Sequence, residues 1–134
     1  MRPLSSWTSE FSKIETPFYF YDLKLLEQTL STVKSMIVGK PYHVHYAMKA
    51  NVNDRLLRLI VEAGLGADCV SGNEVKHAIN NGFDPQHVVF AGVGKSDKEI
   101  SQALSLDIFS FNVESMEELL VLNELAGQQN KKAN

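Results

Sequence analysis

Only one cysteine, Cys69, occurs in the 134 residues, which excludes an intrachain disulfide framework and fits a reducing, cytoplasmic setting. Net charge is equally sparse. Thirteen basic against sixteen acidic side chains leave −3 at pH 7, with lysines and arginines interspersed among acids, so no basic stripe is offered to nucleic acid. No run approaches the roughly 20 apolar residues of a membrane span. The stretch Met1-Arg2-Pro3-Leu4-Ser5-Ser6-Trp7 lacks the continuous apolar core of a signal peptide. Length is short as well, since a complete (β/α) barrel takes about 250 residues and at least about 200. What is present, 44% apolar and 22% charged residues, is the composition of a folded globular chain.

Residues 1–15 read as an arm, and Phe18 to Tyr21 as a short aromatic strand. Asp22 then caps a helix whose apolar positions are Leu26, Leu30, Val33 and Ile37, ended by Gly39-Lys40-Pro41. Four βα units follow, with strands near 43–49, 66–70, 87–91 and 107–111 and helices near 53–63, 72–80, 97–104 and 116–126. This alternation predicts an α/β fold with a parallel sheet. Ser71-x-x-Glu74, Ser96-x-x-Glu99 and Ser115-x-x-Glu118 each fit a capping box, and Gly64, Gly82 and Gly127 stand where left-handed residues close helices. A leucine-rich solenoid is excluded because its Leu-x-x-Leu-x-Leu pattern is absent. An open doubly wound sheet stays a rival, since four units alone do not reveal whether a sheet closes.

Within Pro41 to Met48, period-two alternation puts His45, Ala47 and Lys49 on one face and Val44, Tyr46 and Met48 on the other. Lys49 then ends an apolar strand facing inward. At the C-terminal mouth of a barrel a desolvated lysine amine attacks carbonyls to form Schiff bases; the plain alternative is a surface lysine at a strand end. Asp68 lies inside the strand Gly66-Ala67-Asp68-Cys69-Val70, where an unpaired carboxylate is costly. A cationic partner near Lys49 is one solution, and the backbone amides of the next helix are another. His45 reads either as a contact of a bound group or as a hydrogen-bonded core histidine, while His43, His77 and His87 lack metal-ligand spacing. Gly92-Val93-Gly94-Lys95-Ser96 lacks the Gly-x4-Gly-Lys-Ser/Thr spacing of a phosphate loop and reads as a βα turn at the mouth. Cys69 reads as a small buried hydrophobe.

Thr16-Pro17-Phe18-Tyr19-Phe20-Tyr21-Asp22, Tyr46 to Asn51, Gly64 to Glu74, Val89 to Ser96 and Phe111 to Ser115 occur in the order and spacing of the N-terminal half of the diaminopimelate decarboxylase family. The chain resembles that family from about Thr16 to Ala133, within the wider fold-type III group that includes alanine racemase and ornithine decarboxylase. The resemblance implies the first four βα units of a pyridoxal phosphate-binding (β/α)8 TIM barrel. Residues 16–134 would form a barrel cut before strand five, with the later β domain lying beyond.

By the same resemblance Lys49 is the Schiff-base lysine for pyridoxal 5′-phosphate. Asp68 matches a family position beside the cofactor, Ala47 and His45 are further expected cofactor contacts because they share the inward face of the strand, and Glu74 matches a family acid that serves equally as a cap. The implied reaction removes the carboxylate at the D-centre of meso-diaminopimelate to give L-lysine, in a homodimer with shared active sites; the isolated chain is expected to be inactive. An ornithine, arginine or carboxynorspermidine decarboxylase, an alanine racemase, a non-catalytic pyridoxal phosphate carrier and a mere interaction fragment are the alternatives. The partners expected are a small amino-acid substrate and a second copy, without nucleic acid, membrane or metal.

Overall fold

The computed structural model describes residues 4–134, so the first three residues of the predicted arm lie outside the described residues. Two compact units divide the chain, 1–38 and 39–134.

In the first unit the short helix α1 (Thr8–Phe11) precedes α2 (Leu23–Ile37). Asp22 accepts a hydrogen bond from the Leu25 amide at 3.1 Å, the predicted cap. Leu30 is buried, and Leu26, Val33 and Ile37 share its partly covered face. Gly39, with φ of 72°, takes the left-handed conformation just past the helix. The predicted strand at Phe18 to Tyr21 is not formed: among the described residues the segment belongs to no sheet. Side-chain packing occupies it instead. Phe20 lies 5.4 Å from Trp7 and 5.0 Å from Phe11, and Phe18 lies 5.4 Å from Phe11. Aromatic alternation signalled an extended backbone, but a strand also needs a neighbour to pair with.

In the second unit β1 (His45–Ala47), β2 (Gly66–Cys69), β3 (Val88–Phe90) and β4 (Ser110–Phe111) form one parallel sheet in sequential order. Helices α3 (Asp54–Glu62), α4 (Gly72–Asn80), α5 (Asp97–Ser105) and α6 (Met116–Gln128) connect and follow them. A doubly wound sheet reverses its strand order at a switch point. This sheet does not reverse, and only one of its faces is covered. Ala67, Cys69, Val88, Phe90 and Phe111 are buried with Leu57 and Ile60 of α3, Val75 and Ala78 of α4, Ile100, Ala103 and Leu104 of α5, and Leu122 and Ala126 of α6. Each large apolar side chain taken from water here contributes roughly 1.5–3 kcal/mol. The opposite face carries the row Ala47, Asp68, Val89 and Ser110, aligned by strand register and only partly buried. One-sided helix cover with a half-open second face is the arrangement of a barrel wall.

Helix ends largely follow the sequence. Leu65 N donates to Ile60 O and Gly64 N to Val61 O, while Phe83 N donates to Ala78 O and Gly82 N to Ile79 O. These are paired C-terminal closures around left-handed glycines. Gly127 departs from expectation: it lies inside α6, and Asn130, at φ of 53°, closes the helix three residues later. Asparagine tolerates that conformation because its short polar side chain bonds locally, so the helix need not stop at the glycine.

The three predicted capping boxes diverge. All three serines accept the amide of the glutamate three residues on, but only Ser96 and Glu99 reciprocate fully. Glu74 reaches past its cap to the Val70 amide at 2.7 Å, and Glu118 turns away to Lys95. A distant lysine outcompetes the cap amide for Glu118, while Glu74 takes the amide one residue before its cap.

Candidate active site at the C-terminal ends of the strands

Strand β1 stops at Ala47, and a single 3-10 turn, Met48–Ala50, carries Lys49. The period-two face assignment therefore does not extend to Lys49, because the backbone leaves the pleat at residue 48. Met48 is fully buried and anchors the turn, while Lys49 is exposed. The Tyr46 hydroxyl donates to the Asn51 carbonyl at 3.0 Å and closes the turn from below. Asn51 then accepts the Asn53 amide, and Asn53 caps α3 through the Arg55 amide. Tyr46 and Asn51 thus act as a brace that fixes where the lysine leaves the strand. Sequence reasoning placed Tyr46 on the far face and assigned it no role; its five-residue spacing from Asn51 was the available signal.

Asp68 is the register partner of Ala47. Its Oδ1 is buried and accepts no hydrogen bond. The alternative in which Asp68 serves the next helix's amides is not realised at that oxygen. Those amides have other acceptors: Glu74 takes Val70 N, Glu99 takes Gly72 N at 2.8 Å, and Ser71 takes Glu74 N. Among the described residues no ion pair joins Asp68 to Lys49. A buried carboxylate oxygen without a partner is costly unless a proton, a cation or a bound donor completes it.

His45 lies on the same face as Asp68, at the opposite, N-terminal end of the strands. Its ring covers Gly66, where an added Cβ would come 2.3 Å from His45 Cδ2. Phe109 stacks on it at 6.3 Å, and His43 lies 6.3 Å from His87 beside them. Burial lowers the His45 imidazole from its ordinary 6.5, with His43 and His87 adding to the effect and Asp68 opposing it. His45 therefore favours the neutral form, one layer beneath Ala47 and Asp68.

Two further residues resolve as structural. Cys69 is buried on the helix-covered face, and its thiol is pushed up to about 12 by burial, then by the charges of Glu74 and Asp68, which disfavours the reactive thiolate. Lys95 points its ammonium inward: Nζ donates to Gly92 O at 2.8 Å, Asn112 O at 2.8 Å and Glu118 Oε1 at 2.6 Å. All three donors are spent, so the Gly92 to Ser96 segment is a turn and no phosphate cradle. The groove between α4 and α5, about 240 Å³ and lined by Val75, Lys76, Glu99 and Gln102, contains none of the predicted site residues.

Taken together, a small alanine and an unsatisfied carboxylate oxygen stand at the strand ends on the open face, and a braced turn carrying an exposed lysine follows the first of those strands. The residues fit pyridoxal phosphate: an amine for its aldehyde, and an acceptor for a proton on the adduct. The family model described as the pyridoxal-dependent decarboxylase, pyridoxal binding domain, matches residues 23–132. The diaminopimelate decarboxylase of Bacteroides thetaiotaomicron is 53% identical over 126 residues, covering 93% of this chain and 33% of that protein. That of Helicobacter pylori is 43% identical, covering 87% and 29%. The crystal structure of the Helicobacter pylori enzyme complexed with L-lysine superposes with a TM-score of 0.88 at 40% identity, covering 95% of this chain and 32% of that one. Ornithine decarboxylase from Entamoeba histolytica gives 0.78 at 25% identity, covering 91% and 39%. The chain spans about a third of the length of the curated relatives it matches. It belongs to the pyridoxal-dependent decarboxylase family as a pyridoxal-binding domain, an α/β barrel segment whose cofactor is pyridoxal 5′-phosphate.

Proposed function

We propose that this chain supplies the cofactor lysine and part of the barrel wall to an enzyme that decarboxylates meso-diaminopimelate to L-lysine. The observation that carries the reading is the unsatisfied Asp68 oxygen, on a residue in register with Ala47, which directly precedes the braced turn of Lys49. Lys49 would hold pyridoxal 5′-phosphate covalently through its amine, since a lysine amine, unlike an arginine guanidinium, adds to an aldehyde. When bound, the cofactor supplies an electron sink for the carbanion left as carbon dioxide departs. Asp68 accepts a proton or cation beside the lysine. Ala47 keeps the inner row low at that point, and His45, held neutral beneath, adds no competing positive charge.

Support for diaminopimelate over other amino acids comes from the named relatives at up to 53% identity, and one relative's structure holds L-lysine. Homodimeric assembly, which rests on the sequence resemblance, and a cytoplasmic site, which rests on the single cysteine, belong to the same proposal. The 134 residues alone are expected to give no turnover, since they span a third of those relatives. The test is a substrate panel on the full-length protein, measuring carbon dioxide and amine product from meso-diaminopimelate, ornithine and arginine. Preference for ornithine or arginine would overturn the substrate assignment.

A further inference from the structure

Lys95 and Glu118 form a buried ion pair, with side-chain exposures of 1% and 10%, at the mouth end of the strands. Such a pair carries a large desolvation cost, and replacement by apolar residues of similar volume is often neutral or stabilising. Stability alone is thus a weak reason for its presence, and its contacts reach outward to the strand ends. The Lys95 ammonium bonds the carbonyl of Gly92 in the β3–α5 loop and that of Asn112 in the β4–α6 loop, and lies 5.5 Å from the Phe90 ring centroid. Asn112 N in turn donates to Phe90 O at 3.0 Å, locking the end of β4 to the end of β3. On the other side, Ala91 N donates to Cys69 O at 2.7 Å. Gly92, at φ of 91°, sits so close that an added Cβ would be 2.8 Å from Val70 O. Cys69 and Val70 directly follow Asp68. One ammonium therefore ties the loops after β3 and β4, and through Ala91 and Gly92 that tie reaches the end of β2, the strand that carries the unsatisfied Asp68 oxygen.

We propose that Lys95 and Glu118 are positioning residues for the cofactor site: their pair sets the ends of β2, β3 and β4 and so holds Asp68 against the bound group. The proposal rests on the cofactor reading above. Its logic is geometric. Without the ammonium, the Gly92 and Asn112 carbonyls lose their shared donor, the two loops separate, and the last turn of β2 loses the packing of Gly92.

The test uses full-length protein stripped of pyridoxal phosphate. Lys95→Met leaves Glu118 charged and unpartnered and is expected to lower the melting temperature. The double variant Lys95→Met/Glu118→Leu removes both charges while keeping volume, and it carries the decision. The dissociation constant for pyridoxal phosphate is read by absorbance titration, and the melting temperature of the same stripped protein is recorded. The expected result is a parental melting temperature in the double variant with pyridoxal phosphate bound about ten-fold more weakly. Parental affinity in the double variant, or affinity lost only in step with melting temperature, would show a plain structural staple and overturn the proposal. Failure of the parent protein itself to take up pyridoxal phosphate would strike the cofactor reading rather than the pair.

Discussion

Replacing Gly66 by alanine should be among the most damaging single-methyl additions in the sheet. The new Cβ would stand 2.3 Å from His45 Cδ2, 2.7 Å from His45 Nε2 and 2.4 Å from the His87 carbonyl oxygen. Carbon contacts are comfortable at about 3.5–4.0 Å, so each neighbour would have to retreat by roughly 1 Å. The imidazole can swing, but the carbonyl cannot. His87 N is bonded to Asp84 O at 2.8 Å in a short turn, and β3 begins at the next residue. Overpacking of this kind costs about 1–3 kcal/mol, and a backbone clash belongs at the upper end. Taking about 3 kcal/mol, and about 2 °C per kcal/mol for a protein of the relatives' length, about three times this chain, Gly66→Ala should lower the melting temperature by roughly 6 °C. Thermal unfolding of the full-length protein, followed by circular dichroism, measures it. Adding His45→Ala relieves only the ring clash, so the double variant should recover part of the loss beyond what His45→Ala alone sets. A Gly66→Ala protein that melts with the parent would refute the close approach of β2 to the His87 turn.

Other consequences can be checked on the same material. Gly64→Ala, forced to φ of 79° in open space, should cost about 1–2 kcal/mol, whereas Gly127→Ala, inside α6 with nothing near its Cβ, should add about 0.5–1 kcal/mol; opposite signs in urea melts are the expected outcome. His45 has a folded value below its ordinary 6.5, so the unfolded chain takes that proton first. Stability should hold above 6.5 and fall as pH drops through the lowered folded value, and His45→Asn should remove that component of the pH–stability curve. Glu99 is held below its ordinary 4.5 by Ser96, then by the Gly72 and Ser96 amides. Its contribution is present above 4.5 and is lost at lower pH, and Glu99→Gln should flatten only that acid limb.

Signals carried within a few residues were legible in the sequence. The serine caps at Ser71, Ser96 and Ser115, the closing glycines Gly64 and Gly82, and the order of four strands and helices follow from local chemistry, and all formed. Partners distant in sequence were not legible. Glu118 carries a local capping pattern, yet a lysine 23 positions earlier takes its carboxylate. The segment around that lysine reads from its spacing as a βα turn, but the two backbone carbonyls that share the ammonium with Glu118 carry no local signal. The Phe18 to Tyr21 alternation was real, but nothing in a local pattern says whether another strand lies alongside. Strand ends were the weakest element. Alternation carried Lys49 inward on a strand that stops two residues earlier, and the turn at Met48–Ala50 decides its exit. Lys49 and Asp68 stand out by residue type and place in a strand, because a lysine ending an apolar strand and a carboxylate inside one both call for a reason, and the family resemblance supplies their roles.

The most direct test of the account is covalent trapping at the lysine. Full-length protein incubated with pyridoxal 5′-phosphate, reduced with borohydride, digested and mapped by mass spectrometry should carry the phosphopyridoxyl group on the peptide containing Lys49, and Lys49→Ala should lose it. Label spread evenly over exposed lysines, or unchanged in Lys49→Ala, would contradict the assignment of this turn as the cofactor's anchor.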